Sequence, residues 1–213
     1  VGSYPWSLAV TVDSESCEAS GAVEALGPAC TGGYDLIVPA AAHANGVWQS
    51  DLDLLNVGQE PASVDIALLK SSVANLTPQS VNVAVPAGQT LRLPDVLGGL
   101  LPASNGALAL RFCSGETFAT SRFYNIGTPA TGTFGMAVPA MDASQAITPA
   151  RPGVFHNLSY SPDPKSGFRV NLGFVNASPF PVAMIIRLYG DSGELLGSKA
   201  FSLRAYAQLQ WTK

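Results

Sequence analysis

The stretch Trp48-Gln49-Ser50-Asp51-Leu52-Asp53-Leu54-Leu55-Asn56 returns later as Phe168-Arg169-Val170-Asn171-Leu172-Gly173-Phe174-Val175-Asn176. An aromatic residue opens each stretch, apolar residues alternate in register, and an asparagine closes each at a turn. A period of two puts one face of the chain in a core and the other in water, as in an antiparallel strand. Working outward, Pro61-Ala62-Ser63-Val64 matches Pro179-Phe180-Pro181-Val182, after a loop that reads as two residues shorter in the second copy. Beyond it, Val83, Val85, Leu91 and Leu93 align with Phe201, Leu203, Leu209 and Trp211. The repeat covers about 45 residues in three segments, more than chance alternation readily gives.

The same alternation runs through Val81-Asn82-Val83-Ala84-Val85 and Leu108-Ala109-Leu110-Arg111-Phe112, with turns such as Pro86-Ala87-Gly88 between strands. Only Pro94-Asp95-Val96-Leu97-Gly98-Gly99-Leu100-Leu101 reads as helical, with Asp95 as cap and two glycines to stop it. The expectation is an all-β protein of two tandem antiparallel β-sandwich units with at most one short helix.

Apolar residues make up 47% of the 213, and charged residues only 12%. That suits sizeable cores under a surface of Ser, Thr, Asn, Gln and Gly, and the 21 glycines and 16 prolines suit a loop-rich β protein. A net charge of −4 without a basic stripe argues against nucleic acid as a partner. The longest apolar run, near Val182 to Leu188, is interrupted by Arg187 and is too short to enter and cross a bilayer as a helix, so no membrane insertion is expected. The chain begins at Val1, which fits a mature secreted protein, extracellular or on the cell surface, with the periplasm as a further compartment.

Several segments carry a family resemblance. Ile37-Val38-Pro39-Ala40-Ala41-Ala42-His43, Trp48 to Leu52, Asn56, Pro61, Pro86-Ala87-Gly88-Gln89-Thr90-Leu91-Arg92-Leu93, and Ala119-Thr120-Ser121-Arg122 before Gly132-Thr133-Phe134-Gly135 form one set. Over residues 36–213 the chain resembles immunoglobulin-like β-sandwich repeats of secreted bacterial proteins. Gln49 stands where such repeats commonly carry arginine. The resemblance implies a fold and an extracytoplasmic address, and no agreed activity comes with it.

The domain reading follows the repeat. A first sandwich spans 34–140, a linker 141–151, and a truncated second sandwich 152–213, after an N-terminal arm over 1–33. The second unit lacks counterparts of Ala107–Phe112 and Thr117–Tyr124, which would leave apolar faces and strand edges uncovered. Ser7-Leu8-Ala9-Val10-Thr11-Val12-Asp13-Ser14 can be laid against Ala107–Ser114, which makes Leu8, Val10 and Val12 candidates for an assembly arm. Such an arm completes a second-type unit within its own molecule or in a neighbour, or it is a flexible leader beside a small C-terminal sheet.

Chemistry is sparse. His43 and His156 are the only ready general bases, and no nucleophile, zinc or paired-cysteine motif accompanies them, so no catalytic residue is expected and the chain reads as a non-enzyme. Asp51, Asp53 and Asp65 sit in strand patterns rather than in a calcium loop, and Ser161-Pro162-Asp163-Pro164-Lys165 has a single carboxylate, so no metal or cofactor is expected. Trp48 and Trp211 occupy core positions of the repeat, leaving Trp6, Tyr4, Tyr160 and Tyr189 as surface aromatics for a glycan platform. Asn75, Asn157 and Asn176 open Asn-x-Ser/Thr triplets. Cys17 and Cys30 are the candidate disulfide, with Cys113 as a buried thiol. The leading expectation is a structural or assembly protein that meets protein partners, itself included, through strand edges, with a glycan- or other ligand-binding module as the alternative.

Overall fold

The computed structural model describes residues 6–13, 33–115, 117–127, 134–158 and 170–211, with the backbone alone over 6–13. Tyr4, Cys17, Cys30, Tyr160 and the 161–165 loop therefore lie outside the described residues. The protein is all-β and antiparallel. Strands β1 (Trp6–Asp13), β2 (Leu36–Ala42), β3 (Trp48–Asn56), β4 (Ala62–Leu69), β5 (Ser80–Val85), β6 (Thr90–Leu93), β7 (Asn105–Ser114) and β8 (Thr117–Asn125) come first. They are followed by β9 (Phe134–Pro139), β10 (Met141–Asp142), β11 (Gly153–Leu158), β12 (Leu172–Val175), β13 (Val182–Tyr189), β14 (Leu195–Leu203) and β15 (Gln208–Trp211). One helical turn, α1 (Val96–Gly99), and a 3-10 turn at Ala143–Gln145 are the described helices.

In the first lobe a sheet of order β10-β2-β7-β4-β5 faces one of order β6-β3-β8-β9. Inward side chains of both meet in one core, including Val38, Leu52, Leu54, Ile66, Leu68, Leu108 and Leu110, and α1 adds Val96 and Leu97. The segment read as a linker is structured. Ala140 carries the chain from β9 in one sheet to β10 in the other, and the Arg151 guanidinium donates to the carbonyls of Ser144 and Ala146.

In the second lobe the order β11-β1-β13-β14 is joined by the pair β12-β15 around Phe174, Met184, Ile186 and Leu203. The N-terminal strand thus lies inside a sheet of the last-made part of the chain. Leu8, Val10 and Val12 stand opposite Leu188, Ile186 and Met184. In the first lobe β7 holds the equivalent place between β2 and β4, where Leu110 stands opposite Ile66.

Two details differ from the sequence reading. The loop after Asn176 is not shortened. Asn56 Nδ2 donates to the carbonyls of Glu60 and Val85 while its Oδ1 accepts from the Gly58 N–H. Asn176 makes the matching bonds with Phe180 and Ser178, and its third goes to Arg204, one residue beyond the counterpart of Val85, so Pro61 corresponds to Pro181 and the amide fixes both loops at one length. The two-residue difference falls later, in the β13–β14 hairpin. Cys113 is not a buried thiol: it is half-exposed and disulfide-bonded. Cys17 and Cys30, the expected pair, lie outside the described residues.

The lobes share a seam. On β4, β7 and β2, the residues facing away from the first core are Ala67, Leu69, Ala107, Ala109 and Ile37. Three alanines let another backbone approach closely, and Tyr206, Val175 and Ala177 of the second lobe pack there beside Tyr34. The sheet is thereby buried on both faces, which explains the near-continuous apolar end of β4. Hydrogen bonds align the contact: the Asn75 N–H donates to the Ala205 carbonyl, Asn75 Nδ2 to that of Tyr206, and the Ser72 N–H to that of Gln208. Asn75 and Asn176 are buried and hydrogen-bonded, so neither is an accessible glycosylation site in the folded chain. The Asn157 side chain lies outside what is described.

Candidate functional site

The outer face of the β6-β3-β8-β9 sheet carries a polar cluster built around Asp51. This residue was expected on a solvated face, yet it is only 4% exposed. A carboxylate taken from water needs replacement donors, and it has three. Arg92 Nη2 donates to Oδ2 at 2.8 Å, while the Asp95 N–H and the Tyr124 hydroxyl both donate to Oδ1 at 3.0 Å. Burial by itself would raise the Asp51 pKa, but these hydrogen bonds outweigh it and hold the carboxyl below its usual range. The same contact, together with burial, pushes the Tyr124 hydroxyl up. Asp65 is likewise buried, beneath an Asn82 amide that donates to its Oδ1 at 2.6 Å, while Asp53 stays half-exposed.

Asp95 does not cap α1 with its side chain. Its backbone is left-handed, at φ 44, and no side-chain cap bond forms. This conformation sends the N–H to Asp51 and the carboxylate to His43 Nδ1, at 2.9 and 3.0 Å. A Cβ at residue 98 would collide with that carboxylate and sit 2.6 Å from His43 Nδ1, so Gly98 makes room for the pair as well as ending the helix. His43 is 44% exposed in the pair, which limits it to about 0–1 kcal/mol. The neighbouring hydroxyls serve the backbone. Ser50 Oγ accepts from the Ala42 N–H, and Ser121 Oγ donates to the Asp51 carbonyl. Among the described residues no group of three or more His, Cys, Asp or Glu side chains could hold a metal ion.

Of the four expected surface aromatics, only Tyr189 has a described side chain. Trp6 begins β1 opposite Leu158, and Tyr189 ends β13, half-buried, opposite Ser7. Trp48 is half-buried and stacks on Phe123 at 4.7 Å, and Trp211 packs edge-on to Phe201 beside the second core. His156 is an exposed residue of β11. No described helix is long and apolar enough to cross a membrane.

A second surface was not singled out by the sequence. The turn 86–90 and the turn 204–208 share their backbone hydrogen bonds. Gly88 N–H donates to the Gly58 carbonyl and Tyr206 N–H to that of Ser178; Gln89 N–H donates to Pro86 and Ala207 N–H to Arg204. Gly88 and Tyr206 both have positive φ, 63 and 50. Tyr206 is 7% exposed in the seam, whereas Leu55 and Val57, beside the first turn, are 39% and 48% exposed. Phe118, directly opposite Leu55, is 58% exposed. The signal was present in the sequence: a tyrosine at a turn position where its counterpart is glycine.

The chain matches no family model and no curated protein. A solved structure described as the crystal structure of Thermotoga maritima 1070 overlays 54% of this chain and 98% of that one, at 15% identity and a TM-score of 0.41. An overlay that loose carries no argument about fold or function.

Proposed function

We propose that this chain is a non-catalytic, extracytoplasmic structural protein, made of two copies of one immunoglobulin-like sandwich unit, whose work is to assemble with further subunits. The observation that carries this reading is the path of the chain. β1 leaves the second lobe's sheet, the first lobe follows, and the chain then returns to pair with β1. Within the chain this pairing couples the lobes into one body, and strand addition of the same kind between chains is a device by which sandwich units are joined. The disulfide at Cys113 supports an oxidising compartment. Strand edges and faces remain for contact: β14 pairs only with β13 among the described strands, and Leu195 and Leu196 on it are exposed.

Light scattering on the intact chain over a range of concentrations tests the proposal. The expected result is a series of multiples of 22.0 kDa that grows with concentration. A single species at 22.0 kDa throughout would overturn it.

A further inference from the structure

We propose that the free edge of β12 is a strand-docking site, and that its occupant is the segment of this chain that follows β1. Glu18, Ala19, Ser20 and Gly21 then stand opposite Val175, Phe174, Gly173 and Leu172.

The two lobes follow one strand plan, and the second stops short of it. Val10 opposite Ile186 takes the place of Leu110 opposite Ile66. By the same register β1 is the counterpart of β7, β11 of β2, β12 of β3 and β15 of β6. In the first lobe β3 is paired on both sides, by β6 and by β8, and β9 lies beyond β8. In the second lobe β12 pairs with β15 and, among the described strands, with nothing on its other side.

The core shows the same gap. Val38, opposite Leu108, is fully buried where β8 and β9 lie against β2. Phe155, opposite Leu8, holds the equivalent inward position on β11 and is 40% exposed. Ile147 packs over Gly153, the next inward position, and leaves Phe155 open. Leu172, the counterpart of the fully buried Leu52, is only half-buried. An exposed ring on an inner face beside an unpaired strand edge is what a further strand covers.

The order of the chain names the occupant. Strand β8 begins two residues after β7 ends, so the residues that follow β1 reach the equivalent place by an equally short turn. Leu52, Asp53, Leu54 and Leu55 stand opposite Ser121, Thr120, Ala119 and Phe118, and this register sets residues 18–21 against β12. The sequence suits it. Cys17, Ala19, Gly21 and Val23 take the inward parity, and Glu18, Ser20, Ala22 and Glu24 the outward one. Sizes are exchanged between the cores: where the first has Val38 and Phe123, the second has Phe155 and Val23, so total volume is kept. The path closes as well. Tyr34 packs in the seam beside Val175 and Ala177, so residues 22–32 have only to return along a strand of four residues, well within their reach at about 3.3 Å each.

Paired cysteines in the full chain test the contact: Ser20→Cys with Gly173→Cys. Facing residues of antiparallel neighbours have Cα atoms about 4.5–5.5 Å apart, a spacing that a disulfide spans. A Cβ at residue 173 meets nothing nearer than the Leu209 carbonyl oxygen at 4.0 Å, so the site accepts the substitution. Asp53→Cys with Thr120→Cys, directly opposite in the first lobe, is the control. After mild oxidation, mass spectrometry of proteolytic peptides should find residues 20 and 173 joined within one chain. A bond between chains, seen as a covalent dimer, would make a second copy's segment the occupant and overturn the proposal. No bond where the control pair forms one would equally overturn it. In the unaltered chain, the β12 amides that do not bond to β15 should exchange at least about tenfold more slowly than those of an unpaired edge, and free exchange there would count against the docked strand. A chain that stays monomeric in light scattering would remove the assembly reading and leave this contact standing.

Discussion

The turns 86–90 and 204–208 have the same backbone hydrogen bonds and opposite surroundings. In the first lobe the turn is open to water around Gly88; in the second, Ala205, Tyr206, Ala207 and Gln208 are all buried. The cores differ in the reverse sense. The largest fully buried side chains, such as Leu52, Ile66, Leu97 and Leu110, all belong to the first lobe. Phe174, Met184, Ile186 and Leu203 each keep 3–8% of their surface in water. A lobe whose own core is small leans on what it borrows, here the strand β1 and the seam. The first lobe is self-sufficient and has a face to spare.

The largest effect that could break this contrast is removal of residues 1–13. Without β1 the second lobe loses the strand shared by β11 and β13, and amide-exchange protection over 182–203 should vanish while that of 62–69 and 105–114 persists. Protection surviving in both lobes would show that the second does not depend on β1. Next in size, Leu110→Ala should cost about 2–5 kcal/mol, with Ile186→Ala at or below the low end of that range, because a looser site relaxes around the deletion. Urea unfolding compares them, and equal costs would erase the distinction between the cores.

The smallest effect sharpens the account of the seam. Tyr34 packs edge-on against Tyr206, with the Arg111 guanidinium 5.1 Å over its ring. Burial pushes its hydroxyl from 10.0 up to about 12, against the opposing pull of Arg111. The folded state thus favours the neutral phenol. Its contribution to stability is full below pH 10.0 and declines as the pH rises towards about 12. The urea midpoint should fall between pH 9 and pH 11, and Tyr34→Phe should flatten that fall (about pH 10 is the ordinary tyrosine value). An unchanged slope in the variant would mean that Tyr34 is not the group responsible.

Strand parity was legible in the sequence wherever one face is wet, as along Trp48–Asn56, and so was the short helix around Val96. Parity says which side a residue takes, not what lies over that side. For this reason Asp51 read as solvated although β6 and the turn after it bring Arg92 and Asp95 onto it. Nothing in the sequence singled out Ala67, Ala107 and Ala109, whose small size admits the second lobe. The His43–Asp95 pair joins residues far apart in sequence, and only Gly98, read as a helix stop, hinted at a crowded spot. That Cys113 is bonded was likewise out of reach of spacing arguments.

The position of β1 also bears on the order in which the chain acquires its structure. Val10 meets Ile186, and during synthesis it emerges long before its partner does. The first lobe, with every strand between residues 36 and 142, has all its pairings to hand well before then. The strand at the start of the chain must wait, unpaired, until β11 and β13 have left the ribosome. Closing so long a loop is slow, because the entropy of bringing its ends together comes before the contacts that reward it. Shielding that waiting strand from premature pairing is a task this topology imposes on the cell that makes it.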